Sequence, residues 1–451
     1  MPTVMPAPDP YNTLRNPDQI KRVYERVLHP EFHDVIRRAN EVYSHWQEFR
    51  YRPIPEGLSH EELWAYIKLG RIVHAKNIPL ADKSHKQFSY LTTDFIQRVL
   101  HEIDLWSGGN ITQESPDPLP GRERYIIRSL MEEAIASSQL EGADTTRKVA
   151  KEMLRTGRKP VNKSEQMILN NWHAMQFIRE NRRKPLTLEM LSTIHMTLTE
   201  NTLDHPEEAG TIRTTDDIEV EYKGQVVHVP PPAHGIQESI QGLCKFANEE
   251  HKDDRWIHPV VKSIIIHFWL AYTHPFTDGN GRTARALMYW YLMRHDYLLF
   301  EYIAISRYII RAPGQYVRAY LFTETDMADL TYFIIYNLRA TRSACEDLKR
   351  YIQRKQRETQ RSSMLLRKYK GLNLRQKGLV YHAIRHAGSV YTIESHKNIH
   401  GVVYQTARAD LQGLVDQGLL QKTKAGKEFV FVPSERMVEK LRTAESKLPD
   451  E

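Results

Sequence analysis

His274-Pro275-Phe276-Thr277-Asp278-Gly279-Asn280-Gly281-Arg282-Thr283-Ala284-Arg285 is a polar stretch set between two apolar ones, VVKSIIIHFWLAY (260–272) and ALMYWYLM (286–293). The flanking segments are apolar on nearly every side, which predicts buried helices surrounded by others and a polar loop held rigidly between them. Gly279, Asn280 and Gly281 allow a tight turn that presents backbone N–H groups to an anion. A helix starting near Arg282 adds its positive end at the same point. Arg282 and Arg285 are three apart and on a helix share a face, so both are expected to reach phosphate oxygens. Asp278 is a hard oxygen donor suited to Mg²⁺, and His274 is the nearby group with a pKa fit for a general base. This chemistry points to phosphoryl or nucleotidyl transfer from a magnesium-bound nucleotide.

Outward from the loop the chain reads as mostly α. Residues 1–16 are Pro-rich and predict a disordered tail, and 17–119 predict an N-terminal helical region with a capping box at Ser59 and Glu62. Residues 120–340 predict the core bundle. Within it, IEVEYKGQVVHV (218–229) alternates in the manner of two strands around a Lys223-Gly224 turn, and Pro230-Pro231-Pro232 stops the second. Residues 341–370 predict a basic helical connector. In 371–433 three short helical patterns precede a hairpin with Ala425-Gly426 at its tip, the layout of a winged helix, and 434–451 are read as a tail.

Length and composition set the bounds. At 451 residues two or three domains are expected, and 41% apolar with 26% charged residues is the range of a globular protein. The two cysteines, Cys244 and Cys345, form no CxxC pair, which argues against a disulfide framework or a cysteine zinc site and fits a reducing cytoplasm. No apolar run approaches the roughly 20 residues that span a bilayer, and the first residues lack a signal-peptide pattern. The net charge of +7 is uneven: residues 341–451 hold 22 Lys/Arg against 12 Asp/Glu, which leaves the rest slightly acidic. A basic C-terminal third predicts an anionic partner for that region or a solvated basic face.

The loop resembles the signature of the Fic family, HPFxDGNGRxxR, at each of its nine specified positions. The resemblance implies a Fic-type helical bundle with a β-hairpin flap and a protein adenylyltransferase activity, in which AMP passes from ATP to a Ser, Thr or Tyr hydroxyl. Carried over, His274 is the catalytic base, Asp278 holds Mg²⁺, Gly279, Asn280 and Gly281 line the anion hole, and Arg282 with Arg285 grips the outer phosphates. Gly281, where phosphorylating relatives tend to carry Lys, favours adenylyl transfer. The hairpin 218–229 falls where the family has its flap, along which a protein target, this chain itself included, adds as a strand. Val227, His228 and Val229 are then expected to cover the nucleotide and Tyr316 to contact the adenine.

Upstream, Ser137-Ser138-Gln139-Leu140-Glu141-Gly142 resembles the family's inhibitory motif, [S/T]xxxE[G/N], at the end of a helix over 124–142. It also fits a plain helix-end carboxylate with a following glycine. The resemblance implies that Ser137 and Glu141 belong to an inhibitory helix, whose Glu141 pairs with Arg285 and blocks the γ-phosphate. Residues 371–433 resemble the winged-helix domain that follows the Fic domain in many bacterial members. There Tyr404, Gln405, Thr406 and Arg408, with Lys422, Lys424 and Lys427 on the wing, are candidates to meet DNA, and a protein partner fits equally. Two other functions stay open: a DNA-binding regulator whose Fic core senses nucleotide, and a hydrolase that removes AMP using Glu141.

Overall fold

The computed structural model describes residues 4–107, 122–250, 256–368, 371–386, 388–425 and 428–443. They divide into two compact units, residues 1–348 and 349–451. Mostly helical, the described residues add three antiparallel two-stranded hairpins.

The longer helices at the start of the first unit are Pro17–Val27, Pro30–Glu41 and His60–Val73. Each of the first two starts on proline, whose missing N–H is no loss in a first turn. The third carries the expected capping box: Ser59 Oγ accepts from the Glu62 amide at 3.1 Å and Glu62 Oε2 from the Ser59 amide at 3.0 Å. Trp46, Phe49, Trp64 and Phe32 pack into a core of their own. Two features differ from the sequence-based expectation. The N-terminal segment contains a helix, Pro10–Thr13, capped by Asp9, and Ala7 donates to the Thr325 carbonyl at 2.8 Å. Within the stretch read as helical, Lys76–Ala81 and Gln87–Tyr90 form a hairpin. Ile78, Leu80, Phe88 and Tyr90 turn inward on alternate positions, Pro79 cannot continue a helix, and Asp82 Oδ1 closes the turn by accepting from the Ser84 and Lys86 amides.

A buried charge cluster joins this region to the bundle. Lys68 Nζ lies 2.8 Å from Asp326 Oδ2 and 2.8 Å from Asp329 Oδ2. Tyr332 OH donates to Asp326 at 2.7 Å and Tyr43 OH to Asp329 at 2.7 Å. Arg71, also buried, donates to the carbonyls of Ala39 and Ser44 and to Tyr332 OH. Two cations meet two anions there with almost every lone pair used; Asp326 Oδ1 is left without a partner.

The bundle is built around Pro259–Thr273, buried at nearly every position, and Asn280–Arg294, which packs against it. Lys163–Glu180, Leu188–Thr199 and Ile236–Asn248 surround the pair, and Arg122–Leu140 packs on Lys163–Glu180. Arg122–Leu140 stops where Gly142 takes φ 91°, with the Ala143 amide returned to the Ser138 carbonyl. The stretch read as a separate connector, 341–370, continues a helix that begins in the core, Thr331–Lys368. With no glycine or proline between 331 and 368, nothing in that stretch breaks the helix.

In the second unit the helices Leu374–Arg385, Ile393–His400 and Tyr404–Asp416 precede the hairpin Leu420–Ala425 with Glu428–Pro433. Leu379, Val380, Leu411, Leu414 and Phe431 share its core. Asp410, buried on the third helix, accepts from Asn373 and Arg375 and pairs with His396, so one carboxylate ties the three helices. Tyr404, Gln405 and Arg408 are exposed, as are Lys422 and Lys424, and Thr406 is half-buried. Gly426 and Lys427 lie outside the described residues.

Candidate active site

The 274–285 loop leaves one central helix and enters the next. His274 caps the first in the left-handed conformation, φ 49° and ψ 59°, which costs a non-glycine residue about 1–3 kcal/mol and persists only where the surroundings impose it. Its Nδ1 lies 3.2 Å from the Ala271 carbonyl and must be the protonated nitrogen there, which leaves Nε2 as the acceptor of the neutral ring. Burial holds the imidazole down to about 4, and the neighbouring His228 and Arg213 push the same way, so it is neutral near pH 7.

Inside the loop, Phe276 is fully buried and Asn280 folds back on it, accepting from the Phe276 amide at 3.0 Å and donating to its carbonyl at 2.7 Å. The Asn280 side chain is therefore committed to the loop, and its backbone N–H is what it can offer an anion. Gly279 takes φ 79°, and a Cβ there would meet Thr199 and His195. Asp278 accepts from the Gly279 amide at 2.5 Å and from Arg282 at 3.2 Å, and its carboxylate is 56% exposed, so oxygen remains open to solvent.

The two loop arginines turn to different helices. Arg282 is buried and spends itself on the Leu198 carbonyl at 3.0 Å and on Asp278, with Nε unpartnered. One turn of helix places it against Leu188–Thr199. Arg285 points to the Arg122–Leu140 helix: Nε donates to Ser137 Oγ at 2.8 Å, and Nη2 to the Ser137 carbonyl at 3.0 Å and to Glu141 Oε1 at 2.8 Å. The Glu141 carboxylate sits directly over Gly281, where a Cβ would collide with it. A negatively charged group thus already rests at the N-terminus of Asn280–Arg294, where the first amides lack helical partners.

The hairpin forms as Val220–Tyr222 and Gln225–His228, with Lys223 at φ 53° and Gly224 at φ 73° in the turn. The pairing register shifts between Val220 and Glu221. Val227 is half-buried and Val229 exposed. His228 turns inward, with Nε2 2.9 Å from the Tyr272 carbonyl and Nδ1 3.0 Å from Glu324. Tyr316 OH lies 2.8 Å from His267 Nε2 and 3.1 Å from Tyr320 OH, within an aromatic group that includes Phe333. Both His228 and Tyr316 thus engage protein groups in this structure.

Three residues that the sequence did not single out support the site, His195 and Arg213 on the loop itself and Glu133 behind it. His195 accepts from the Gly210 amide at 2.8 Å, so its other nitrogen donates to the Asp278 carbonyl at 2.8 Å, and its ring stacks on Phe276. Burial keeps it neutral, down to about 4. Arg213 donates to the His274 carbonyl at 2.9 Å. Glu133, one turn above Ser137, accepts from Tyr289 OH at 2.8 Å and from the Ser306 amide at 3.0 Å, and burial raises its pKa. A lone His in a helix, an Arg in a polar loop and a Glu in a helix carry no local pattern; only spacing against distant segments marks them.

The Fic/DOC family model matches residues 185–292, which span the helix carrying His195, the hairpin and the loop. "Protein adenylyltransferase Fic" of Nematostella vectensis is 26% identical over 231 residues, 45% of this chain and 51% of that protein. "Protein adenylyltransferase fic-1" of Caenorhabditis elegans is 38% identical over 92 residues, 20% of this chain and 16% of that protein. The chain therefore spans about half, or less, of the length of these relatives. Among solved structures, a Fic family protein from Desulfovibrio desulfuricans superposes with a TM-score of 0.54 at 19% identity, over 76% of this chain and 97% of that one. Fic-1 from Caenorhabditis elegans does so with 0.50 at 18% identity, over 77% and 88%. At such identities these two speak for the fold alone. Over residues 185–292 the chain is thus similar to the Fic/DOC family, and over a longer stretch to a protein adenylyltransferase named Fic.

Proposed function

We propose that this chain transfers AMP from ATP to a protein hydroxyl, with Glu141 as a brake. The observation that carries the proposal is His274: a neutral imidazole, its Nδ1–H spent on Ala271, with Nε2 free to accept a proton beside an anion cradle. The acceptor hydroxyl gives its proton to Nε2 as its oxygen bonds to the α-phosphorus, and the bond to the β-phosphate oxygen breaks to release pyrophosphate. The amides of Gly279, Asn280 and Gly281 at the helix start stabilise the growing negative charge. Arg285 is the cation for the outer phosphates once Glu141 leaves it.

Asp278 fits a magnesium ion, since its carboxylate is a hard oxygen donor open to solvent beside the loop amides. Bound there, Mg²⁺ would supply charge neutralisation at the phosphates, with Asp278 as its protein ligand. The acceptor is a protein segment laid along the 218–229 hairpin, whose Val226 and Val229 are exposed. For the second unit we propose a winged helix whose exposed Arg408, Lys422 and Lys424 meet an anionic partner such as DNA. No helix among the described residues is long and apolar enough to cross a membrane, and we place the activity in the cytoplasm.

The test is labelled ATP with the wild-type chain and with His274→Ala. The variant is expected to lose labelling by about 10²–10⁴-fold while ATP binding stays within a few-fold. Equal labelling by both would overturn the proposal.

A further inference from the structure

Arg213 belongs to neither motif, yet its guanidinium and its amide together donate to four backbone carbonyls around the site. Its side chain is 2% exposed. Nε donates to the His274 carbonyl at 2.9 Å, Nη1 to the Thr215 carbonyl at 2.6 Å and Nη2 to the Pro231 carbonyl at 2.6 Å. Its own amide donates to the Pro275 carbonyl at 2.9 Å. The nearest carboxylate, Asp216, stands at 3.4 Å, is 67% exposed, and accepts from the Ala233 amide as well. A buried cation whose partners are mainly carbonyls is costly to keep. The partners show what it holds: Thr215 lies just before the hairpin, Pro231 just after it, and His274 is the residue whose ring must meet the incoming hydroxyl. Both legs of the hairpin and the left-handed backbone of His274 are thus fixed to one rigid, planar group.

We propose that Arg213 is a positioning residue that sets the distance between His274 and a segment docked on the 220–228 hairpin. Resting on the reading of His274 as base, this assigns to Arg213 the choice of which hydroxyl of a docked strand is modified. Successive residues on a strand are about 3.3 Å apart and alternate in direction, so a small drift of the hairpin brings the wrong residue to Nε2. The phosphates feel that drift least, because the amides and cations that would hold them lie in Gly279–Arg285, away from the hairpin and from Arg213.

The experiment uses the full chain with Glu141→Gly, which is expected to label itself from radiolabelled ATP, and adds Arg213→Met or Arg213→Lys. Four quantities are measured: ATP affinity, self-labelling rate, the identity of labelled residues by mass spectrometry, and amide hydrogen exchange. Arg213→Met is expected to keep ATP affinity within about 3-fold and to slow labelling by about 10²-fold, the scale of a 1 Å misplacement. The label should spread over more hydroxyls. Exchange at 215–231 should quicken by about 10-fold while that of Pro259–Thr273 stays unchanged. Arg213→Lys, which keeps the charge and reaches fewer carbonyls, should fall between. Unchanged exchange at 215–231 with unchanged label positions would sink the proposal. So would a loss of ATP affinity and of helix protection together, since Arg213 would then serve the fold at large. If Arg213→Met does not fold, the lysine variant decides by the same exchange and label-position criteria. If the Glu141→Gly parent itself labels nothing, adenylyl transfer fails as the function, and the exchange data still decide whether Arg213 clamps the hairpin.

Discussion

Two buried ionic networks lie in the first unit and differ in one respect. Around Lys68, two cations and two aspartates are all buried and partnered by tyrosines and backbone, so the charges have nowhere else to go. Around Arg285 the cation is buried, at 4% side-chain exposure, while its carboxylate partner Glu141 sits at the rim at 31%. A closed network can only stabilise or specify a junction. An open one can exchange its anion, because the departing carboxylate returns to water and an arriving phosphate inherits the cation and the helix amides. Burial of one partner only is what turns a salt bridge into a candidate switch.

The largest effect that would break this contrast is on stability. Lys68→Met strands two buried aspartates and should cost about 3–5 kcal/mol in denaturant unfolding, and adding Asp326→Asn and Asp329→Asn should recover at least half of it. A loss below about 1 kcal/mol would mean that the cluster is wet and no different from the site. Glu141→Gly should raise labelling by about 10- to 100-fold, the equivalent of the roughly 1.5–3 kcal/mol of a charge-assisted bond. A wild type that labels as fast would mean that the seat is not occupied in solution, and removal of AMP by Glu141 would become the better reading. Glu141→Gln sharpens the point: it keeps the shape over Gly281 and weakens the bond by about half, so labelling should rise by only about 3- to 10-fold.

The smallest expected effect concerns pH. The folded pKa of His274, held down to about 4 chiefly by burial, means that the base is deprotonated well below neutrality. Labelling of a Mg²⁺-saturated ATP reaction per folded molecule should change by less than about two-fold between pH 7.5 and 5.5, where a histidine at the ordinary value near 6.5 would lose about tenfold. The sign for stability is the same. The buried neutral imidazoles of His45, His195 and His274, each held to about 4, add stability that is complete above about pH 6.5 and is lost as pH falls toward 4. A proportional drop in labelling across pH 7.5–5.5 would place His274 in water, with the loop open.

What could be read along the chain was whatever local pattern records. The apolar runs that bracket 274–285 predict two central helices because helical burial repeats over a few residues. The Lys223-Gly224 turn predicts its hairpin because both positions need positive φ, which both show. The Ser59 and Glu62 capping box is likewise local. The 76–90 hairpin escaped because its alternation is short and broken by Pro79, and its inward face is defined by the residues it meets, among them Phe268 and Tyr272. The helix Thr331–Lys368 runs through the change of charge near 341, because such a change does not end a helix.

By itself the sequence determined the residue types at the loop, the helices that present them and the Ser137–Glu141 spacing that brings both to one arginine. Only tertiary structure decided that Arg282 and Arg285 part company, that Asn280 serves the loop, and that His195 and Arg213 hold the Asp278 and His274 carbonyls. The reason is physical: a side chain's type and helical phase are set by its neighbours along the chain, whereas the group it reaches is set by segments that folding brings up from far away. For Arg285 that segment is 148 positions distant, at Ser137.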